Sequence, residues 1–552
     1  MKRIALLMVC LACLIFLTVS CGTEQDTTSI ITTAETPKES IVQTTALITT
    51  PNGITVATTA TKESAAVTTT VVSTTAPQTT AAVTTAGELC LIDSGKPVFQ
   101  VVSSLDLFQD AFFTNQIDTL CNNIRDIGVS KPAYSYDKGR RMTYEILVGK
   151  TNRDVTPPKL EALEWSVSVQ GTKVLIYSET DYGLLEAIDY FTKTYLSERD
   201  GELTLPGNLC VVGKHDAVKS DEHNMTYAEM ANATMDAFNA KFWNGNGIDI
   251  GFWEAAEIIE IYADAYELTK DEAIKQKLLS FANYFMLVNK QDWLWKNHND
   301  SPMWACIAFT RITLLTGEKK YYEVAKKNFD AVYERSFDLE LGGGLYWDTD
   351  KTTKNACVNC PAAIAACYIA KVSGDESYYE KAKLLMDWTI EVLFEKSSGR
   401  VADRYELQGG LKAGASTYNQ GTFIGACTML YQKYKDEAYL TYAKAAATYG
   451  MENLTDTTIG VLHNNESRDG AALGFKGIFA RWARYYITET GDMNLLLFLQ
   501  HNADIAYANR NEMGLIFTNW KDQTPVDPVA EGHNAFSMCT AVSLFYNCQI
   551  WQ

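Results

Sequence analysis

The segment Trp295-Lys-Asn-His298-Asn299-Asp300-Ser301-Pro-Met-Trp304 sets one carboxylate between tryptophans, beside a histidine, two amides and a hydroxyl. The apolar run Ala305-Cys-Ile-Ala-Phe309 follows at once, so Asp300 stands where a loop enters a helix. Pro302 suits a first helical turn, and a carboxylate just ahead of it caps the helix if it has no other task. Comparable mixtures recur in Phe242-Trp243-Asn-Gly-Asn-Gly247, in Gly342-Gly-Gly-Leu-Tyr346-Trp347-Asp348, from Val401-Ala-Asp403 to Thr417-Tyr418-Asn419-Gln420, and in His463-Asn-Asn-Glu466-Ser-Arg-Asp469. Rings beside amides and carboxylates suit sugars, whose CH faces stack on aromatics while their hydroxyls need directional partners. Trp253, Trp304 and Trp482 instead fall at helical spacing on apolar faces, where core packing is the default.

Loops so far apart in sequence can serve one site only if a repeating scaffold brings them together. From about residue 222 the apolar pattern is helical and repeats, with short turns at Thr269-Lys-Asp271, Thr316-Gly-Glu318, Ser373-Gly-Asp375, Tyr434-Lys-Asp436 and Thr490-Gly-Asp492. Glycine after one helix and an acidic residue entering the next are stop and start signals. With a last element ending near Gln549, about six helical hairpins are expected. Hairpins that must bury both ends close most economically into an (α/α)6 toroid, and an open helical solenoid is the alternative. If the short turns share one rim, the long aromatic loops share the other.

The blocks of residues 222–552 resemble glycoside hydrolase family 76, the endo-α-1,6-mannanases. The resemblance rests on Trp253-Glu-Ala-Ala256 with Tyr266-Glu-Leu-Thr269, and on the Asp300 block through Trp304, Arg311 and Leu315-Thr-Gly317. Gly343 to Asp348, Lys354-Asn-Ala356, Thr417 to Gly425, Asp469 and Phe475-Lys476-Gly-Ile-Phe479 with Arg481 follow in the family order. It implies an (α/α)6 barrel, a neutral α-mannan-like polysaccharide as partner, and no cofactor or metal. It aligns Asp300 with the family nucleophile and puts Ser301 where the family has its second aspartate, the acid/base. Trp295, Asn299, Trp347, Asp348, Asp403, Tyr418, Asn419, Gln420, Asp469 and Lys476 are the implied sugar-binding residues. A retaining glycosidase needs one carboxylate to attack the anomeric carbon and one acid to protonate the leaving oxygen. Asp300 can attack, whereas a serine hydroxyl is far too weak an acid to protonate. Two readings follow: a mannan-directed glycosidase, or a glycan-binding protein that keeps the cleft and has lost turnover. A toroidal sugar epimerase or uronide hydrolase would want histidine pairs or basic groups at the mouth, and the chain has six histidines in all.

The remaining sequence bounds where such a domain works. Sixty-seven acidic against 48 basic residues give a formal charge of −19 and a pI near 4.9, which disfavours nucleic acid and polyanionic glycans. Met1-Lys-Arg and the apolar run Ile4–Val19 read as a secretion signal spanning residues 1–20, closed by the lipobox-like Leu17-Thr-Val-Ser20-Cys21. The expectation is lipidation at Cys21 and a position on the outer face of a bacterial membrane, held by the lipid alone. Residues 21–87 form a Thr-rich, low-complexity tether without aromatics. Residues 88–215 alternate β-rich runs such as Tyr144-Glu-Ile-Leu-Val148 and Val174-Leu-Ile-Tyr177 with helical spacing over Asp181–Tyr195, which predicts a small α/β accessory domain. Thirteen cysteines include Cys357-Val-Asn-Cys360, but no second pair completes a zinc site, and small buried thiols are expected.

Overall fold

The computed structural model describes residues 87–551 apart from 129, 197–200 and 464–471, together with short strand segments between 44 and 79. The chain divides at residue 78. In the first unit Thr44–Thr49, Thr55–Ala60 and Thr68–Val72 pair antiparallel, as β-branched Thr and Val favour. The signal, Cys21 and most of the expected tether lie outside the described residues.

The second unit begins with the α/β layer. Four parallel strands run side by side in the order Lys173–Ser178, Tyr144–Val148, Phe99–Ser103, Ala133–Tyr136, and Glu164–Gln170 and Cys210–Lys214 continue the sheet antiparallel. The helices here are α1 (Leu105–Gln109), α2 (Ala111–Ile127) and α3 (Asp181–Tyr195). At the carboxyl ends of the strands a cavity of 430 Å³ is lined by Asp106, Asp110, Glu179, Asp181 and Glu452, with Lys150 the one base among them.

Twelve helices follow: α4 (Tyr227–Phe242), α5 (Phe252–Thr269), α6 (Glu272–Asn289), α7 (Asp300–Thr316), α8 (Lys319–Ser336), α9 (Ala356–Ser373), α10 (Ser377–Val392), α11 (Thr417–Tyr434), α12 (Glu437–Asn453), α13 (Phe475–Thr490), α14 (Met493–Ala508) and α15 (Ala535–Asn547). The chain alternates between two rings. Helices α5, α7, α9, α11, α13 and α15 each pack on the next, and α15 packs back on α5, so the inner ring closes. The fold is therefore a mainly α (α/α)6 toroid behind a small α/β domain, and the open solenoid is excluded.

Sequence explains which helix goes where. Inner helices are buried on nearly every side, as in α9, where Ala356 to Ala370 is buried throughout, whereas α8 buries one stripe and exposes its lysines and glutamates. By length and hydropathy α9 could cross a membrane, yet 83% of it is buried inside the toroid wall. Gly421 and Gly425 let α11 approach α13 closely: a Cβ at Gly421 would lie 2.7 Å from the Phe479 Cα, and one at Gly425 would lie 2.4 Å from the Trp482 ring.

The five short turns predicted from sequence join inner to outer helices on one rim. Each inner helix ends there in a left-handed residue, Lys270, Gly317, Gly374, Lys435 or Gly491, and Asp271, Asp436 and Asp492 cap the helices that follow. The long connections 243–251, 290–299, 337–355, 393–416 and 509–534, with the described parts 454–463 and 472–474 of another, consequently gather at the amino ends of the inner helices.

Charged side chains cross-link the inner ring. Arg481 of α13 binds Glu257 (2.6 Å) and Asp264 (2.8 Å), while Arg311 of α7 binds Glu260 (3.1 Å), Asp264 (2.7 Å) and Glu267 (2.6 Å). Every member except Glu267 is buried. Burial pushes the Asp264 carboxyl up, but the guanidiniums of Arg481, Arg311 and Arg484 outweigh it and hold the group at about 2. Glu257, with fewer cationic neighbours, is pushed by burial to about 7 despite Arg481.

Candidate active site

A cavity of 630 Å³ opens on the loop-rich rim. Asp300, the first residue of α7, lies in its lining with Ser301 beside it. The loop entering α7 is fixed by Asn299, whose backbone N–H donates to the Trp347 carbonyl (2.6 Å) and whose side-chain amide donates to that of Tyr346 (2.9 Å). Arg335 donates to the Asn299 side-chain oxygen (2.7 Å) and to the carbonyls of Leu294 (2.9 Å) and Lys296 (2.8 Å), so the loop cannot swing away from the 337–355 connection.

That second connection is itself clamped. The buried Lys354 ammonium donates to the Asp338 carboxylate (2.7 Å) and to the carbonyls of Glu340 (2.6 Å) and Gly343 (2.7 Å). Gly344 sits at φ +83°, with the space of its missing Cβ taken by the Trp388 ring at 2.6 Å. Trp347 is thereby presented to the cavity, and its ring stacks on His298 with centroids 4.4 Å apart and planes 14° from parallel. A third wall is a small antiparallel sheet in which Thr353–Asn355 pairs with Arg404–Glu406, and Arg404–Glu406 with Gly410–Lys412. It brings Asn355, Arg404 and Glu406 to the mouth beside Asp403.

Asp300 has the chemistry of a reactive carboxylate. Burial pushes its pKa up to about 6, opposed by the charge of His298, the backbone N–H groups of Ser301 and of Asp300 itself, and the Trp347 indole. Its Oδ1 is buried and has no hydrogen-bond partner, which leaves a lone pair unused within the cavity lining. Three more carboxylates line the space. Asp348 Oδ1 accepts from the backbone N–H of Asp350 (3.1 Å) and Lys351 (3.2 Å), Asp403 pairs with Arg404 (2.6 Å), and Glu406 pairs with Arg404 (2.8 Å) and Lys412 (3.3 Å). The Arg404 hydrogen bond and the Lys412 charge hold Glu406 below the usual carboxylate range. Trp253, Trp304, Tyr418 and Phe475 supply the apolar floor, with Tyr418 stacked on Phe475 at 3.7 Å.

Of the residues singled out from sequence, Asp300, Ser301, Trp347, Asp348, Asp403 and Tyr418 meet in this cavity. Others take different places. Asn299 is spent on the loop it anchors. Trp295 is 55% exposed but lies outside the cavity lining, edge-on to Phe252. Gln420 is buried, accepts from Val401 N–H (2.6 Å) and donates to the carbonyls of Gly399 (3.0 Å) and Ala446 (2.9 Å), so it braces α11 against its neighbours. Asn419 and Lys476 are likewise buried outside the lining, Lys476 donating to the Leu462 carbonyl (3.1 Å) over the Trp520 ring. A single step along an inner helix turns a side chain about 100° and decides between cavity and wall, which is why Tyr418 reaches the cavity and Asn419 and Gln420 do not. Asp469 and Glu466 lie outside the described residues.

Sequence reasoning assigned Trp253 and Trp304 to the core and missed Phe475, Cys357, Asn355, Arg404 and Glu406 as lining residues. Arg404 and Glu406 flank Tyr405 in a loop already marked by its aromatics, and alternation along a strand was the available signal. Cys357 and Cys360 are free and buried in α9, with desolvation raising both thiols. Among the described residues no group of three or more His, Cys, Asp or Glu is placed to hold a metal ion.

The comparisons with known proteins agree with this geometry. The model of glycosyl hydrolase family 76 matches residues 222–548. The structure of the GH76A α-1,6-mannanase from Salegentibacter sp. HEL1_6 is similar at 28% identity and TM-score 0.53, over 58% of this chain and 98% of that one. An inactive variant of that enzyme, with two consecutive aspartates changed to asparagine, is in complex with α-1,6-mannotriose and matches equally. The Lin0763 protein of Listeria innocua shares the fold at 23% identity and TM-score 0.54, over 58% of this chain and 97% of that one. No curated protein matches the chain. With the closed inner ring, the aromatic cavity and a family match over most of its length, the chain belongs to glycosyl hydrolase family 76.

Proposed function

We propose that the protein acts on α-1,6-linked mannan outside the cell, with Asp300 as the nucleophile of a retaining mechanism. The observation that carries this reading is the unpartnered Asp300 oxygen in an aromatic cavity at the mouth of a family 76 toroid. Trp347, Tyr418 and Phe475 would stack on sugar CH faces, and Asp348, Asp403 and Arg404 would bind hydroxyls. The basic head, apolar run and Cys21 of the sequence support export and lipid attachment, and the Thr-rich stretch would give the domain reach.

Ser301 favours a second reading, a glycan-binding protein with impaired turnover. In the Salegentibacter enzyme, replacing two consecutive aspartates accompanies inactivity; here the corresponding pair would be Asp300 and a serine. The test is a panel of α-1,6-manno-oligosaccharides scored in parallel for binding by calorimetry and for reducing-end release. Binding with release supports the enzyme, binding alone supports the second reading, and failure to bind any member rejects both.

Restoring the missing group gives a sharper expectation. Ser301→Asp puts a carboxyl next to the nucleophile and should raise mannotetraose hydrolysis by up to about 10²-fold, within the range of general acid catalysis. No gain in a variant that still binds the sugar would show that more than the acid is absent.

A further inference from the structure

We propose that His298 is the proton donor that replaces the missing carboxyl, so that the site still breaks glycosidic bonds whose leaving oxygen needs a proton. The inference rests on Asp300 being the nucleophile of the preceding section. The other proton-bearing groups among the described cavity residues are poor donors. Ser301 is an aliphatic alcohol, and burial raises the Cys357 thiol and the Tyr418 phenol well above their ordinary values. Asp348 is an acceptor for two backbone N–H groups, Asp403 is bound to Arg404, and Glu406 is flanked by Arg404 and Lys412. Guanidinium groups do not release protons.

Histidine is suited to proton transfer, and His298 lines the same cavity as Asp300. Its ring lies flat against Trp347, and His298, Trp347 and Asp300 all line the same cavity, so imidazole and nucleophile border one space. Residues 298 and 348 also pair as an isolated antiparallel bridge, which fixes the backbone at that point. The charged groups lining the cavity with it are Asp300 from α7, Asp348 from the 337–355 connection, and Asp403, Arg404 and Glu406 across the space, while Lys296 of its own loop interacts with Asp300. His298 is open to solvent, which allows it to be reprotonated between turnovers.

The step balances. An Asp300 oxygen forms the bond to the anomeric carbon as the C–O bond to the leaving sugar breaks. The electron pair of that bond goes to the leaving oxygen, which takes the proton of the His298 imidazolium. In the second half a water oxygen attacks the same carbon, the neutral imidazole removes its proton, and Asp300 departs as carboxylate.

The experiment compares wild type, His298→Gln, Asp469→Asn and His298→Gln/Ser301→Asp on two substrates. One is α-1,6-mannotetraose, whose leaving group needs a proton. The other is a 2,4-dinitrophenyl α-1,6-mannobioside, whose leaving group does not. His298→Gln should lose about 10²-fold or more on the tetraose. It should still release a burst of about one equivalent of dinitrophenolate, since ester formation from that substrate needs only Asp300. Azide, which needs no base, should then restore dinitrophenolate turnover, and adding Ser301→Asp should recover cleavage of the tetraose. Loss of the burst together with tetraose cleavage would assign His298 a structural role and overturn the proposal. A selective loss in Asp469→Asn with none in His298→Gln would overturn it too. Wild type that binds the tetraose but does not cut it would also refute the inference and leave the binding reading standing, whereas absence of binding would reject the mannan assignment itself.

Discussion

Asp300→Asn will bind α-1,6-mannotetraose and fail to cut it. The amide keeps the size and polarity of the carboxyl but cannot form the ester that a retaining mechanism requires, so the loss should be on the order of 10⁴-fold or more. Because burial lifts the Asp300 carboxyl to about 6, the wild-type rate should carry an acidic limb of the same midpoint. The sign follows from the nucleophile being the charged form: turnover falls as pH drops below about 6. Calorimetric binding beside a pH–rate profile checks both statements. Turnover retained in the asparagine variant would place the chemistry on another residue. A rate independent of pH between 5 and 7 would remove Asp300 as the group whose ionisation limits it.

The second large effect concerns stability. Arg481→Met removes a guanidinium from between Glu257 and Asp264 and leaves both carboxylates buried with weaker compensation. Breaking one side of such a network costs about 3–5 kcal/mol, or roughly 10 °C in melting temperature for a domain of this size. The pH dependence should change with it. In the wild type Asp264 is held at about 2, below its unfolded value of 3.8, so its contribution is present above about pH 4 and lost as pH falls towards 2. Glu257 is shifted the other way, to about 7, so its ionisation weakens the fold as pH rises from about 4.5 to 7. Without Arg481 both carboxyls are easier to bury protonated, and the variant should regain stability between pH 7 and 5. Thermal melts across that range decide it; an equal deficit at both ends would mean that packing, not charge, is what Arg481 contributes.

Much of the scaffold was legible because its signals are local. Gly317, Gly374 and Gly491 stop helices by the left-handed backbone they allow, and Asp271, Asp436 and Asp492 start the next by capping free N–H groups. These turns fix the hairpin count and, through it, the rim on which the long loops fall. Burial was less legible. Trp253 and Trp304 read as core because they keep helical spacing, and they do pack, yet both also face the cavity. Asn299, Asn419, Gln420 and Lys476 read as sugar ligands because they are polar and sit in motif blocks. They are buried in the wall instead, where Asn299, Gln420 and Lys476 are bonded to backbone groups whose partners lie far away in sequence.

The amino-acid sequence by itself determined the helical repeat, the α/β layer ahead of it and the family motif in which Ser301 follows Asp300, since each is written in residues adjacent or one turn apart. Only the tertiary structure decided that the ring closes from α15 onto α5, that Asp300 is desolvated with a free oxygen, and that His298 stacks on Trp347 at the same cavity. Those properties depend on what packs against a side chain from other helices and loops, and no spacing along one segment carries that information.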